Sequence, residues 1–332
     1  MKILIIRFSS LGDIVLTTPV IAYLKNRNPK AIIHYVTKST FKEILEENPY
    51  IDQLIELKDN SIFSLARLMA KTDPAAYDIV FDLHNSLRSN LFTMLIKKRK
   101  IFRYKKPYLK RWFLVYFKKN LFKKIDEVPY LYIKEYKADL IKLKSPVVVP
   151  VALEKKNLSG WNDKKITLAI APGARWFTKK WPVENFINVI HQYHSENPKT
   201  QIVLLGGKDE KDTSRAILAK MKHKKNIYDF TGKLSIRESA FVLSKCKSLL
   251  TNDSGLMHVA AAFDTKIIAL FLSTVPEFGF QPFTKNKFVL SEKISCKPCD
   301  HKGLPKCPKK HFKCALHIKP DDVLNVLKKA MK

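Results

Sequence analysis

The sequence predicts an α/β protein made of two doubly wound, parallel-sheet domains in tandem, and three observations carry that prediction. Apolar runs such as Ile3–Ile6 lack the alternation of a half-exposed strand, so they suit strands buried on both faces of a parallel sheet. Strand-like and helix-like segments alternate from the N-terminus as far as Ile96. The same alternation restarts at Ile166 and runs on towards the C-terminus.

In chain order, the strand Ile3–Ile6 leads into the loop Ser9-Ser10-Leu11-Gly12-Asp13, and Ile14 to Leu24 reads as a helix. Strands follow at Ala31–Val36, Ile51–Leu57 and Ile79–Leu83, separated by helices at Phe41–Glu47 and Ile62–Ala70. A further helix spans His84–Ile96. Lys144 to Lys165, with Ser145-Pro146, Pro150 and a polar run, reads as a linker. It divides the chain into domains 1–150 and 151–332. The second series places strands at Ile166–Ala171, Gln201–Leu205, Ile227–Phe230, Ser248–Leu250 and Ile267–Phe271. Its helices are Pro182–His194, Asp212–Met221 and Ile236–Ser244, with a terminal helix from Asp321 able to pack back on the first domain.

With 332 residues, 46% of them hydrophobic, the chain can bury two cores, which excludes global disorder. No run of 18 apolar residues occurs and the N-terminus enters a strand at once, so neither a membrane span nor a signal peptide is expected. The expected location is the cytoplasm. Sixty-one Lys and Arg against 30 Asp and Glu give a formal charge of +31, which favours an anionic partner. Residues 97–124 concentrate that charge: 13 Lys or Arg, no acid and eight aromatics, among them Trp112, Phe113, Tyr116 and Phe117. Such a basic amphipathic surface suits an anionic membrane or a phosphorylated partner, and nucleic acid is the rival. Four late cysteines, Cys296, Cys299, Cys307 and Cys314, open as C-x2-C but close with a six-residue spacing. Zinc and free thiols both stay open for them, in the role of a local staple.

Three loops carry residues suited to ligands, each after a strand, where open α/β sheets bind them. The first is Ser10-Leu11-Gly12-Asp13. The second, Ala171 to Pro182, holds Gly173, Thr178, Lys179 and Lys180, a set suited to a diphosphate. The third is Thr251-Asn252-Asp253-Ser254-Gly255-Leu256-Met257-His258. Asp253 and Ser254 are good N-cap residues, Gly255 lets a ligand approach the backbone, and His258 shares a helix side with Ser254. Free N–H groups at such a helix start attract phosphate, although the stretch fits equally well a capped core helix with a satisfied histidine. No G-x-G-x-x-G or P-loop is present, which weakens NAD and ATPase readings.

Taken together, these three stretches resemble the ADP-heptose:lipopolysaccharide heptosyltransferases of glycosyltransferase family 9. Tyr77–Ser89 (YDIVFDLHNSLRS), the Thr231-Gly232-Lys233 turn and the late cysteine cluster add to the likeness, while residues 97–124 match no motif of the family. The resemblance implies a GT-B fold: two Rossmann-like domains facing across a cleft, acceptor on the N-terminal side and nucleotide-sugar on the C-terminal side. It implies an inverting transfer, with Asp13 as the base and Lys179, the Ser254/Gly255 backbone and His258 neutralising the leaving diphosphate. By family position Glu210 contacts the donor nucleoside, and Thr178 and Asp253 belong to the donor loops. No Asp-x-Asp pair occurs, so neither a metal nor another cofactor is expected for the chemistry. The implied partners are ADP-heptose or a related nucleotide-sugar, an anionic lipid-linked core oligosaccharide, and the inner-membrane surface through residues 97–124. Leu272–Pro276 departs from the family's Gly-Pro-Thr-like loop, which keeps a different nucleotide-sugar open. A non-enzymatic nucleic-acid binder is the competing class. Only the enzyme uses the three ligand loops, so no nucleic-acid partner is expected.

Overall fold

Both expected parallel sheets are present in the computed structural model, which describes residues 1–59, 61–72, 76–94, 100–136, 142–153 and 160–332. They lie in separate units: Met1–Lys106 with Asp126–Val149, and Pro107–Ile125 with Pro150–Lys332. Residues 95–96 of the expected helix, 97–99 of the basic stretch and 154–159 within the expected linker fall outside the described residues.

The first unit runs β1 (Lys2–Ile6), α1 (Leu11–Val15), α2 (Thr18–Arg27), β2 (Ile32–Lys38), α3 (Ser39–Lys42), β3 (Gln53–Leu57), α4 (Ile62–Thr72), β4 (Ile79–Asp82), α5 (Leu87–Met94) and β5 (Lys100–Arg103). The chain then leaves for α6 (Tyr108–Tyr116), which belongs to the second unit, and returns as α7 (Val128–Ile133). All strand pairs are parallel and the order is β3-β2-β1-β4-β5. Ile3, Leu4, Ile5 and Ile6 are fully buried, as their unbroken apolar run predicts. The single helix expected over 14–24 is instead two. Pro19 has no N–H to give Val15, and the hydroxyls of Thr17 and Thr18 donate to Ile14 O (2.6 Å) and Val15 O (2.7 Å). Strand β5 was hidden in the basic stretch: Ile101 and Phe102 sit between Lys100 and Arg103, a pattern an edge strand tolerates.

The second unit runs β6 (Thr167–Ala171), α8 (Val183–Glu196), β7 (Gln201–Leu204), α9 (Lys211–Lys220), β8 (Ile227–Asp229), α10 (Ile236–Lys245) and β9 (Ser248–Asn252). It continues through α11 (Gly255–Ala260), β10 (Lys266–Leu270), β11 (Lys287–Leu290), α12 (Lys313–Leu316) and α13 (Pro320–Ala330). The sheet is again wholly parallel, in the order β11-β10-β9-β6-β7-β8. Helix α10 starts on a reciprocal cap, Ser235 Oγ accepting from Glu238 N and Ser235 N donating to Glu238 Oε2 (2.7 Å). Val323, Leu324, Leu327 and Ala330 of α13 join the core formed by Leu168, Ile202 and Leu250. The final helix therefore completes the second unit's own core.

Among the described residues no helix is long and apolar enough to cross a membrane.

Candidate active site

In each sheet the strand order reverses beside its first strand, between β1 and β4 in one unit and between β6 and β9 in the other. Such switch points are where open α/β sheets bind ligands. The predicted loops flank both of them.

In the first unit Asp13 lies on α1, just past β1, with its side chain 19% exposed. Arg7 Nη2 contacts Asp13 Oδ1 at 2.6 Å, while Ser10 donates to Oδ2 from its hydroxyl (2.7 Å) and its backbone N–H (3.1 Å). Tyr132, from α7, reaches to 3.5 Å. Arg7 is the residue that sequence reasoning missed. Its Nε donates to Ser9 O (2.7 Å) and its Nη1 to Leu83 O (2.5 Å), so one guanidinium ties the loop after β1 to the loop after β4. Burial works against the Arg7 charge, but Asp13 and the surrounding Tyr132, Tyr35 and Tyr104 outweigh it and hold the group firmly protonated. Every named partner of Asp13 donates, which suits the acceptor-only carboxylate.

Across the switch point, Asp82 is fully buried and accepts from the backbone N–H groups of His84 (3.1 Å) and Asn85 (2.8 Å). Burial pushes its carboxyl up. This Asp-turn starts α5 at Leu87, three residues later than expected from the pattern. His84 packs against Phe8, with ring centroids 5.1 Å apart. Burial, then the Arg7 and Lys106 cations, push it down to about 3, so the ring is neutral at physiological pH.

In the second unit Lys179 Nζ meets Asp253 Oδ2 at 2.6 Å, joining the loop after β6 to the loop after β9. Thr274 Oγ1 donates to the same oxygen (2.8 Å), which brings in the loop after β10. Asn252, fully buried at the end of β9, donates to Pro172 O (2.7 Å) and accepts from Trp181 N (3.1 Å). The loops on either side of this switch point are thus tied twice. Helix α11 spans only six residues, and its N-cap Ser254 places its hydroxyl 3.2 Å from Thr251 Oγ1 instead of on the helix N–H groups. A helix this short adds little dipole. His258 is buried on α11.

Thr178 is buried, its hydroxyl accepting from Ser273 Oγ (2.9 Å) and from Leu304 N (2.8 Å). Leu304 lies within the cysteine-bearing segment, and Cys299 N donates to Ser273 O (3.1 Å). The segment is distant in sequence from the loop after β6, yet it braces that loop in space. All five cysteines are free. Burial and the neighbouring Cys296 and Cys307 push Cys299 up to about 11, and burial does the same to Cys314. Cys296 Sγ lies 3.8 Å from His311 Nε2. Among the described residues no group of His, Cys, Asp or Glu is arranged to hold a metal ion. Glu210 follows β7, where its carboxylate accepts from Gly207 N (2.5 Å) and burial pushes it up. It fills the space that a Cβ at Gly173 or Gly206 would need, so these two glycines make room for Glu210.

Two doubly wound parallel-sheet units in one chain, with polar loops at both switch points, make up the GT-B fold, which the similar solved structures share. The chain belongs to glycosyltransferase family 9 (heptosyltransferase), whose sequence profile matches residues 65–310. It is 26% identical over 341 residues to lipooligosaccharide heptosyltransferase 2 of Campylobacter jejuni, covering 100% of this chain and 99% of that one. In structure it is similar to the family 9 glycosyltransferase of Veillonella parvula, with a TM-score of 0.79 at 23% identity over 99% of this chain and 97% of that one. The ADP-heptose lps heptosyltransferase II of E. coli gives a TM-score of 0.75 at 21% identity, covering 100% and 98%. At these identities the structural likeness speaks for the fold, and the sequence match speaks for the family.

Proposed function

We propose that the protein transfers a heptose from ADP-heptose to the lipopolysaccharide inner core, with inversion at the anomeric carbon and without a metal or other cofactor. The acceptor hydroxyl oxygen bonds to the anomeric carbon as the bond from that carbon to the diphosphate oxygen breaks. ADP leaves with the electron pair, and the hydroxyl proton passes to Asp13. Lys179 meets the charge that grows on the diphosphate, with Asp253 and Thr274 holding its position. Ser254, Gly255 and His258 line the same end of the sheet in this reading, and Glu210 sits beside the nucleoside. Because the acceptor is lipid-linked, the reaction is set at the cytoplasmic face of the inner membrane.

The observation that carries the reading is Asp13, fixed by Arg7 and Ser10 at the switch point in a chain of the heptosyltransferase family. Lys179 supports the donor side. The absence of an Asp-x-Asp pair from the sequence supports a metal-independent transfer. The test is a donor screen with a core oligosaccharide acceptor, comparing ADP-heptose with other nucleotide-sugars in buffers with and without EDTA. The anomeric configuration of the product is read by NMR. Transfer from ADP-heptose alone, inverted and indifferent to EDTA, is expected. Asp13→Asn should lower the rate by roughly 10²–10⁴-fold while ADP still binds. Exclusive use of another donor, or near wild-type turnover in Asp13→Asn, contradicts it.

A further inference from the structure

Helix α6 is turned inside out. Its buried residues are Leu114 and the charged Arg111, whereas Tyr108 (62%), Leu109 (73%), Trp112 (47%) and Tyr116 (70%) are exposed. At 100° per residue these four fall within about a quarter of the helix circumference, so they form one apolar face turned to solvent. Phe117 extends the face at the helix end, and Leu121 and Ile125 continue the exposed apolar residues along the segment. A soluble protein normally buries such a stripe and keeps arginine outside.

The orientation is fixed by specific anchors. Arg111 donates to Phe278 O (3.3 Å) and lies over the rings of Phe278 (5.8 Å) and Phe280 (5.3 Å). Lys118 Nζ donates to Pro298 O (2.7 Å). On the outer side Trp112 packs against Phe113, Tyr116 and Phe117 with centroids 5.1–5.8 Å apart, so the aromatic cluster is already assembled. Lys110, Lys119, Lys123 and Lys124 of the same segment are exposed. The basic stretch thus divides its labour: Arg111 and Lys118 hold the helix, Lys106 donates to Asn85 O (2.9 Å), and Lys110, Lys119, Lys123 and Lys124 stay exposed in the segment that carries the apolar face.

We infer that this face docks on an anionic lipid bilayer, with Tyr108, Leu109, Trp112 and Tyr116 entering the interface and the lysines meeting lipid headgroups. Charge complementarity selects that occupant. A second copy of a chain with a formal charge of +31 would bring like charges together around the patch, whereas an anionic surface neutralises them. The inference takes its setting from the proposed lipid-linked acceptor, but it is tested without any substrate.

The experiment is co-sedimentation of the full-length protein with vesicles of phosphatidylcholine, with and without phosphatidylglycerol, beside a duplex-DNA shift assay. The wild type should bind the phosphatidylglycerol vesicles, more weakly as salt rises, and leave neutral vesicles largely alone. The combined variant Tyr108→Ser, Leu109→Ser, Trp112→Ser, Tyr116→Ser changes only exposed side chains. It should bind anionic vesicles on the order of a hundredfold more weakly, with unchanged ADP affinity as the control for folding. A Lys110→Glu, Lys119→Glu, Lys123→Glu variant should lose the preference for anionic lipid. Wild-type binding by the folded serine variant overturns the inference, as does failure of the wild type to bind anionic vesicles, whatever it does with DNA. Transfer to a lipid-free oligosaccharide separates the two readings. Transfer without vesicle binding removes the docking face alone, and vesicle binding without transfer supports the face while removing the proposed activity.

Discussion

Replacing Arg7 by methionine is expected to disable transfer while sparing nucleotide binding. The substitution removes the donor to Ser9 O, the donor to Leu83 O and the partner of Asp13 in one step. Leaving one member of a buried ion pair alone typically costs about 3–5 kcal/mol. Asp13 is 19% exposed, so water softens its loss and the lower end of that range, about 3 kcal/mol, applies. The effect on rate is larger than the effect on folding, because Asp13 and the loop that carries it lose their alignment together. Misplacing the base should slow transfer by roughly 10²–10⁴-fold. Arg7→Lys should fall between wild type and methionine, since one ammonium cannot reproduce a fork aimed at three oxygens. With the cation gone, the carboxylate form of Asp13 loses a stabilising neighbour, so the acid limb of the rate profile should move to higher pH. Tyr132, Tyr35 and His84 also face this centre and remain in both variants. Urea midpoints, steady-state kinetics from pH 5 to 9 and calorimetric titration with ADP provide the readouts. Arg7→Met turning over at the wild-type rate, with the same pH profile, would refute the positioning role.

His84 supplies a pH prediction. Its folded value, about 3, lies below its ordinary 6.5, so the unfolded chain binds the extra proton first. Stability from this group is complete above pH 6.5 and falls as the pH drops through the interval towards 3, by about 2 kcal/mol between pH 7.5 and pH 5. Urea unfolding at those two pH values should show His84→Gln losing less stability than wild type, and an identical loss would contradict the shift. On the donor side, Lys179→Met should weaken ADP binding roughly tenfold or more, as removing a charged hydrogen-bond donor does. Calorimetry decides it, with Lys179→Arg as the control for charge, and an unchanged dissociation constant would take Lys179 out of the donor site.

The parts of this protein that could be read from sequence are those in which neighbours along the chain share one environment. Buried strands such as Ile3–Ile6 and Ser248–Leu250 show as apolar runs, and the loops after them show as Ser, Asp, Gly and Lys placed at a strand end. The rest depends on residues brought together by folding. Tyr132 reaches Asp13 from 119 positions away, and Leu304 reaches Thr178 from 126. Neither has a local pattern to announce it. Strand β5 was masked by its own charges, because Lys100 and Arg103 at an edge look like solvated loop. The basic stretch was recognised as a surface, but its inversion was not visible: only the structure separates the buried Arg111 from the exposed Trp112 beside it. Arg7 did carry a signal, a lone cation directly after a fully buried strand. Such a residue must find a partner near the strand end, and here that partner is Asp13.

The two switch points use one device with its polarity reversed. Beyond the ends of β1 and β4 the diverging loops are linked by the cation of Arg7, and beyond those of β6 and β9 by that of Lys179 beside the Asn252 amide. In the first unit the cation is the buried partner, Arg7 at 7%, and the carboxylate of Asp13 is the more exposed one at 19%. In the second unit the carboxylate is buried, Asp253 at 8%, and Lys179 is the more exposed at 16%. In the proposed reaction the first sheet therefore offers an anion and the second a cation. Glycosyl transfer from a nucleotide-sugar asks for that division, a proton acceptor for the attacking hydroxyl and a positive charge for the departing diphosphate. The buried partner in each pair contacts no substrate in this scheme. It holds the exposed partner at a fixed angle before any substrate arrives, which is why losing Arg7 or Asp253 should damage the reaction as well as the fold.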